Sequence, residues 1–268
     1  MFKNDEYIKD LDTIFEDVKF STNSFTRLKI LATLFEKPQN MKEMTDNTGL
    51  SYSSVSSNIH DLELKNLLYR DHNKYFLTSS AKVKIQNILE LHEIIKLLNE
   101  FFNILDGHIV DVIPNESVVE LYLLGKARLM ESSGVDAYRT YNFIENALSK
   151  AQSVKCILPF YSEPFFVALK DLISQNKDVE ILVPKIDLDV FEKKSNIKNL
   201  VPFDESNSFL LIVTDEVMIL GFFMENGYFD QNRLLTSKNE ESIDWANRLF
   251  KNIKKKNKWV ICSFIIFF

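Results

Sequence analysis

The stretch from Met41 to Leu64 constrains this chain most. It reads as a short helix ending near Asn47, a tight turn through Gly49 and Leu50, and a second helix capped by the Ser51 side chain. Val55, Ile59 and Leu62 fall at i, i+4 and i+7, so one stripe of the second helix must face a core. The opposite face carries Ser53, Ser54, Ser57, His60 and Asp61, with Ser56 and Asn58 on its flanks. Small hydroxyl and amide side chains let a helix approach a major-groove floor and bond to base edges and phosphates. The competing reading is a surface helix with serine decoration.

Two β-prone runs follow, flanking Asp71-His72-Asn73-Lys74, and read as a hairpin. A helix-turn-helix followed by a hairpin is a winged helix. The segment resembles the ArsR/MarR-type regulators of prokaryotes in Ser51 to Ser56, in Leu62-Glu63-Leu64-Lys65-Asn66-Leu67-Leu68, and in Tyr75-Phe76-Leu77-Thr78. The resemblance implies double-stranded DNA as partner and leaves the operator open.

With 268 residues and 46% apolar content the chain can fill two cores. Its 32 Lys and Arg against 38 Asp and Glu, net −6, argue against wholesale coating of nucleic acid. DNA contact must then be local, through Arg27, Lys42, Arg70 and Lys74 to phosphates, with His72 at the wing tip. So few contacts call for a homodimer. Cys156 and Cys262 stand far apart in no metal-like spacing, which excludes a disulfide framework and fits a reducing cytosol. Asp5, Glu6, Asp10 and Asp12 sit where a leader would be basic or apolar, so a cytoplasmic location is expected.

In chain order, Ile8, Leu11, Phe15 and Val18 mark an amphipathic leading helix, and Phe25, Leu28, Leu31 and Phe35 a helix stopped by Pro38. From Thr78 or Ser79 a long helix runs to about Asn103. Ile88, Leu91, Ile95, Leu98, Phe102 and Leu105 form a heptad seam along it. A second row, Ile94, Leu97, Phe101 and Ile104, widens the apolar face, so the helix is expected to pack on a partner helix and on its own chain. Asp106 to Pro114 reads as a hinge. Helices are predicted over 118–130, 136–150, 163–175 and 240–256, strands over 154–158 and 179–183 as a parallel pair, and a hairpin over 209–223. The expected fold is α+β. A winged helix-turn-helix with leading helix (1–80) precedes a connector helix and hinge (81–115), a helix-flanked mixed sheet (116–258) and an apolar tail (259–268).

The second domain is similar to the phospholipase-D-like effector domain that follows a winged helix in a family of transcriptional regulators from methanogenic archaea. The resemblance lies in Lys155 to Phe160, Leu211 to Phe223, Asn226 to Asp230 and Ser242 to Phe250, with Arg27 to Leu31 and Ile109 to Pro114 upstream. It implies a non-catalytic regulatory domain.

Phospholipase-D chemistry needs His-x-Lys-x4-Asp, usually twice. The four His residues are His60, His72, His92 and His108, all ahead of the second domain, and after His72-Asn73-Lys74 the acid's place is held by Ser79. No enzyme activity is therefore expected. No clustered Cys and His suggests a metal, no Gly-rich loop a nucleotide, and no cofactor is expected. Asp187/Asp189 and Asp215/Glu216 read as loop and turn residues. A small-molecule or protein effector would bind at the carboxyl ends of the parallel strands, where Tyr161, Glu163 and Lys185 are the candidates. The basic run before Trp259 to Phe268 is followed by ten largely apolar residues, too short to span a bilayer, so membrane attachment is not expected. The leading hypothesis is a homodimeric, ligand-responsive transcriptional regulator. Its rivals are a protein-interaction adaptor using the winged helix and, less favoured, a phosphodiester-processing enzyme.

Overall fold

The structure is a computed structural model that describes residues 15–16, 18–203 and 209–265. It forms two compact units that divide in sequence between His92 and Glu93. The leading-helix positions Ile8 and Leu11 lie outside the described residues.

In the first unit the starts of three successive helices are each fixed by a side chain. Ser24 accepts from the Arg27 amide to open α1 (Phe25–Glu36). Asn40 and Glu43 make a reciprocal capping box that opens α2 (Met41–Thr48). Gly49, at φ 68°, closes α2 in the left-handed region where a side chain is strained. Ser51 then accepts from the Ser54 amide and opens α3 (Tyr52–Leu64). β1 (Leu68–Asp71) and β2 (Lys74–Leu77) pair antiparallel, and His72 takes φ 50°, as a primed hairpin turn requires. Gln39, fully buried, exchanges backbone bonds with Tyr75 and bonds through its amide to Thr33 and Asn47. The α1–α2 loop thereby joins the hairpin. Ile30, Leu31, Leu34, Met44, Val55, Ile59, Leu62 and Leu77 make the core.

α4 (Ser79–Glu100) begins in that core through Ala81 and Ile85. Its end, with the helical turn Phe102–Leu105, packs in the second unit through Leu97, Phe101 and Ile104. The two apolar rows thus have different fates: Leu97 and Phe101 are buried, while Leu91, Ile95, Leu98 and Phe102 are 43–59% exposed.

The expected hinge is instead fastened to the second unit. Gly107 (φ 72°) turns the chain so that Ile109 N donates to Phe223 O and Gly107 O accepts from Glu225 N. The helix predicted over 118–130 is replaced by the single turn Asn115–Val118, a 3₁₀ turn Leu121–Leu124 and β3 (Arg128–Glu131). β3 is set by pairing with a strand more than a hundred residues away, which local periodicity does not report.

After β3 come α5 (Arg139–Lys150), β4 (Ser153–Ile157), α6 (Glu163–Ser174), β5 (Asp178–Pro184), α7 (Leu188–Ser195) and β6 (Val201–Phe203). β7 (Phe209–Thr214), β8 (Met218–Phe222), β9 (Arg233–Ser237) and α8 (Glu240–Ile265) complete the unit. The sheet order is β3-β9-β8-β7-β4-β5-β6, with β4, β5 and β6 parallel and the other pairs antiparallel. The parallel pair and the 209–223 hairpin stand where periodicity placed them. Leu211, Val213, Met218 and Leu220 face the α8 side; Leu210, Ile212, Val217 and Ile219 face α5, α6 and α7. α8 anchors through buried Trp245, whose indole N–H donates to Ser117 O at 3.0 Å. The helix continues through Ile265, past the expected end at Lys256.

His108 belongs to this unit, contrary to its expected place ahead of it. Its Nε2 lies 2.9 Å from Asp230 Oδ2 and its Nδ1 3.1 Å from Asp106 O, with both side chains over nine-tenths buried. Arg233 Nη1 is 3.6 Å from the same carboxylate, and Asn232 N donates to its other oxygen. Removing the imidazole takes one hydrogen bond from a buried carboxylate that keeps Arg233 and the Asn232 N–H as partners. His108→Phe is expected to lower stability by about 2 kcal/mol, and Asp230→Leu added to it to lower it further by stranding the Asn232 N–H and Arg233, both read from denaturant unfolding.

Candidate nucleic-acid interface

The α3 helix presents a polar surface because its apolar stripe is locked inward. Val55 and Leu62 are fully buried and Ile59 nearly so, which leaves Tyr52, Ser53, Ser56, Ser57 and His60 exposed as adjacent rows. Ser51 and Ser53 hydroxyls lie 3.1 Å apart at the exposed start of the helix. The outward centre is thus shifted from the sequence reading. Ser56 lies within the exposed surface instead of on its flank, and Ser54, Asn58 and Asp61 form a half-buried row. Asn58 spends one amide proton on Ser54 O at 2.9 Å. Tyr52, 63% exposed, was missed; its place four residues before Ser56 and eight before His60 was the available signal.

Arg27 is a correction. Its guanidinium lies over the Phe20 ring at 4.0 Å, donates to Phe20 O at 2.6 Å and stands 3.5 Å from Asp61 Oδ2, with only 15% of the side chain exposed. It ties α1, the preceding helical residues 18–22 and α3 together, and is spent on folding before any phosphate arrives. Asp61 is paired with it while 47% of its own side chain stays exposed at the edge of the outward face.

Lys42 on α2 and Arg70, His72 and Lys74 on the hairpin are exposed. The hairpin tip is ordered by its own polar groups: His72 Nδ1 lies 2.7 Å from Asp71 Oδ1, and Arg70 Nε donates to His72 O at 3.2 Å. Tyr69 and Phe76 stack at 5.3 Å beside it. α3 and the hairpin tip carry hydroxyl, imidazole and cationic donors on exposed positions, a set suited to phosphate and base-edge contacts.

The effector candidates in the second unit are not joined by any contact among the described residues. Tyr161 stacks on Phe166 at 5.0 Å and meets Phe191 edge-on, with Lys194 over its ring. Glu163 lines an open groove between α5 and α6, and Lys185 stands exposed in the 3₁₀ turn after β5. Tyr161 is core packing. Cys156 is fully buried, and burial pushes its thiol far above the usual range, so it is no nucleophile. Asp215 holds the start of β4 by accepting from Gln152 N and Ser153 N. Partial desolvation raises its carboxyl, but those backbone donors and Lys177 outweigh it and the net shift is downward. Among the described residues no group of three His, Cys, Asp or Glu is placed to hold a metal, and no helix is long and apolar enough to cross a membrane.

Family models match both parts of the chain. Residues 15–99 match the N-terminal domain of the methanogenesis regulatory protein FilR1, and residues 137–256 match its middle domain. The chain carries both domain types in that order, which supports a transcription regulator. No curated protein matches the sequence. Among solved structures, TrmBL2, an archaeal chromatin protein described as showing a novel mode of DNA binding, is 12% identical with a TM-score of 0.39 over 95% of this chain and 99% of that one. Nuc, a phospholipase D family member from Salmonella typhimurium, is 12% identical with a TM-score of 0.37 over 47% of this chain and 92% of its own. Likenesses of this size carry no argument about function.

Arg27→Ala is expected to cost about 2 kcal/mol, through the lost ring contact and charged hydrogen bonds. DNA affinity of the folded fraction should stay unchanged, as read by urea unfolding beside a mobility-shift titration.

Proposed function

We propose that the chain is a homodimeric DNA-binding transcriptional regulator. Its first unit is a winged helix-turn-helix that places α3 in the major groove and the β1–β2 hairpin against the adjoining backbone. The observation that carries this reading is the exposed row Tyr52, Ser53, Ser56, Ser57 and His60 on a helix whose other side is fixed in the core. Ser53, Ser57 and His60 are assigned to base edges or nearby phosphates, Ser54 and Asn58 to the groove wall, and Lys42, Arg70, His72 and Lys74 to phosphates. The family matches support the regulatory role. The phospholipase-D-like second domain serves as a sensor for a small-molecule or protein effector and does no chemistry of its own. The protein acts in the cytoplasm.

The exposed row Leu91, Ile95, Leu98 and Phe102 supports the dimer. These residues repeat at heptad spacing on a helix whose buried row is already committed to its own chain. Water-exposed leucines and isoleucines at that spacing are the seam of a two-stranded contact, worth about 25 cal/mol for each Å² of apolar surface covered.

Ser53→Glu with Ser57→Glu is expected to abolish operator binding by repulsion from phosphate while sedimentation still reports a dimer; retained affinity would sink the groove assignment. Ile95→Glu with Leu98→Glu is expected to give a folded monomer whose affinity for an inverted repeat falls by about a hundredfold or more, since each head loses the other's contribution to effective concentration. A dimer that persisted would place the interface elsewhere.

A further inference from the structure

The second unit holds a cleft that none of the foregoing uses. β3 and β9 pair with Arg128 opposite Thr236 and Met130 opposite Leu234. Leu234 faces the α5 side of the sheet, and alternate strand residues share a face, so Arg128, Met130 and Thr236 face that side as well. There α5 leaves part of the sheet uncovered, and a cleft of about 410 Å³ opens over Met130, Phe143 and Val217. Its rim carries Lys126, Arg128 and Lys238. A smaller cavity of about 70 Å³ shares Phe143, Val217 and Lys238 and adds Lys150 and Glu216.

The charges do not cancel. Lys126 Nζ lies 3.9 Å from Glu241, but Arg128 and Lys238 have no ion-pair partner among the described residues. The wall also holds an unmet demand. Asn239 Oδ1 is buried without a hydrogen-bond partner, one of two such side-chain atoms among the described residues, the other being Arg27 Nε. The Asn239 backbone is fixed, since its N–H donates to Ser237 Oγ at 3.2 Å and its carbonyl accepts from Ile243 N. A buried acceptor of this kind is costly to leave unpaired, and it meets a ligand's donor only when the Asn239 amide turns toward the cleft.

We propose that this cleft binds a small organic anion, a phosphate or carboxylate, that carries a hydroxyl or amino donor on a short carbon body. Arg128 and Lys238, helped by Lys126, take the anionic group through charge-assisted bonds. The Asn239 amide turns to bring Oδ1 to the cleft, where it accepts from the donor, and Met130, Phe143 and Val217 cover the carbon body. The site deepens the sensor reading and rests on it for its regulatory consequence. Ala127, between Lys126 and Arg128, is buried in the same cluster as Leu97 and Phe101 at the end of α4. An anion drawing Lys126 and Arg128 together therefore acts beside a residue of the core that takes the end of α4, and it shifts the connector only by its preference for one arrangement over another.

The test is a calorimetric titration of the full-length protein with four probes: glycerol 1-phosphate, propyl phosphate, glycerate and butanoate. Saturable binding is expected for at least one hydroxylated anion, about tenfold or more stronger than for its partner lacking hydroxyls. Arg128→Glu with Lys238→Glu, both exposed and both checked for folding by circular dichroism, should abolish it. Asn239→Leu should remove the preference for hydroxylated probes and keep the weaker affinity for propyl phosphate or butanoate. Lys170→Glu with Lys198→Glu, in the lysine-lined cleft beside α6, should change nothing. No saturable binding, binding that survives the Arg128/Lys238 variant, or equal affinity within each pair would overturn the proposal. If the anion binds as described but leaves operator affinity unmoved, the site stands and the sensor reading falls.

Discussion

The second unit depends on a sheet buried on both faces. Alternate residues of β7 and β8 enter two separate cores, one under α8 and one under α5 to α7, so nearly every position on these strands must be apolar. That requirement drives polar chemistry off the middle of the sheet and onto its ends, its flanking strands and the helices. Gly221 shows how tight the middle is: a Cβ there would meet Leu234 at 2.8 Å and Phe229 at 2.9 Å. The cleft over Met130, Phe143 and Val217 lies where the requirement relaxes, beside the outer strands β3 and β9, where Arg128 and Thr236 interrupt the apolar pattern.

The same constraint explains the connector. A 22-residue helix carrying two apolar rows cannot cover both with its own chain when the surface available to it is one core at each end. One row is used by Leu97, Phe101 and Ile104; of the other, Ile88 and Leu105 pack at its two ends and Leu91, Ile95, Leu98 and Phe102 stay exposed. Fastening residues 107–109 to the strand continuing from β8 then fixes where the helix leaves the second unit. The buried His108–Asp230 hydrogen bond joins the connector to a residue 122 positions further along the chain.

The first unit separates a buried face of α3 from an exposed polar one by helical period, refined by packing. Val55, Ile59 and Leu62 fix the rotation of α3, and that rotation decides which serines meet solvent. Helical spacing placed the stripe correctly, but a stripe defines an inward direction only to within the width of a row. Ser56 against Ser54, and Tyr52 against Asn58, were decided by where α1 lies. Arg27 shows the same limit. In the sequence it is one of a few cations near a helix-turn-helix; in the fold it is held over the Phe20 ring and beside Asp61.

Local signals by themselves determined the helix-turn-helix, the hairpin, the long connector, the parallel β4–β5 pair and the β7–β8 hairpin. In each the physical information lies within about thirty residues: a cap, a turn residue or a hydrophobic period. Only the tertiary structure decided β3, the anchoring of residues 107–109, the pairing of His108 with Asp230 and the cleft shared by Lys126, Arg128, Lys238 and Asn239. These bring together residues about a hundred or more positions apart. Their partners are chosen by sheet order and helix placement, and no periodicity in the chain records which strand will lie beside which.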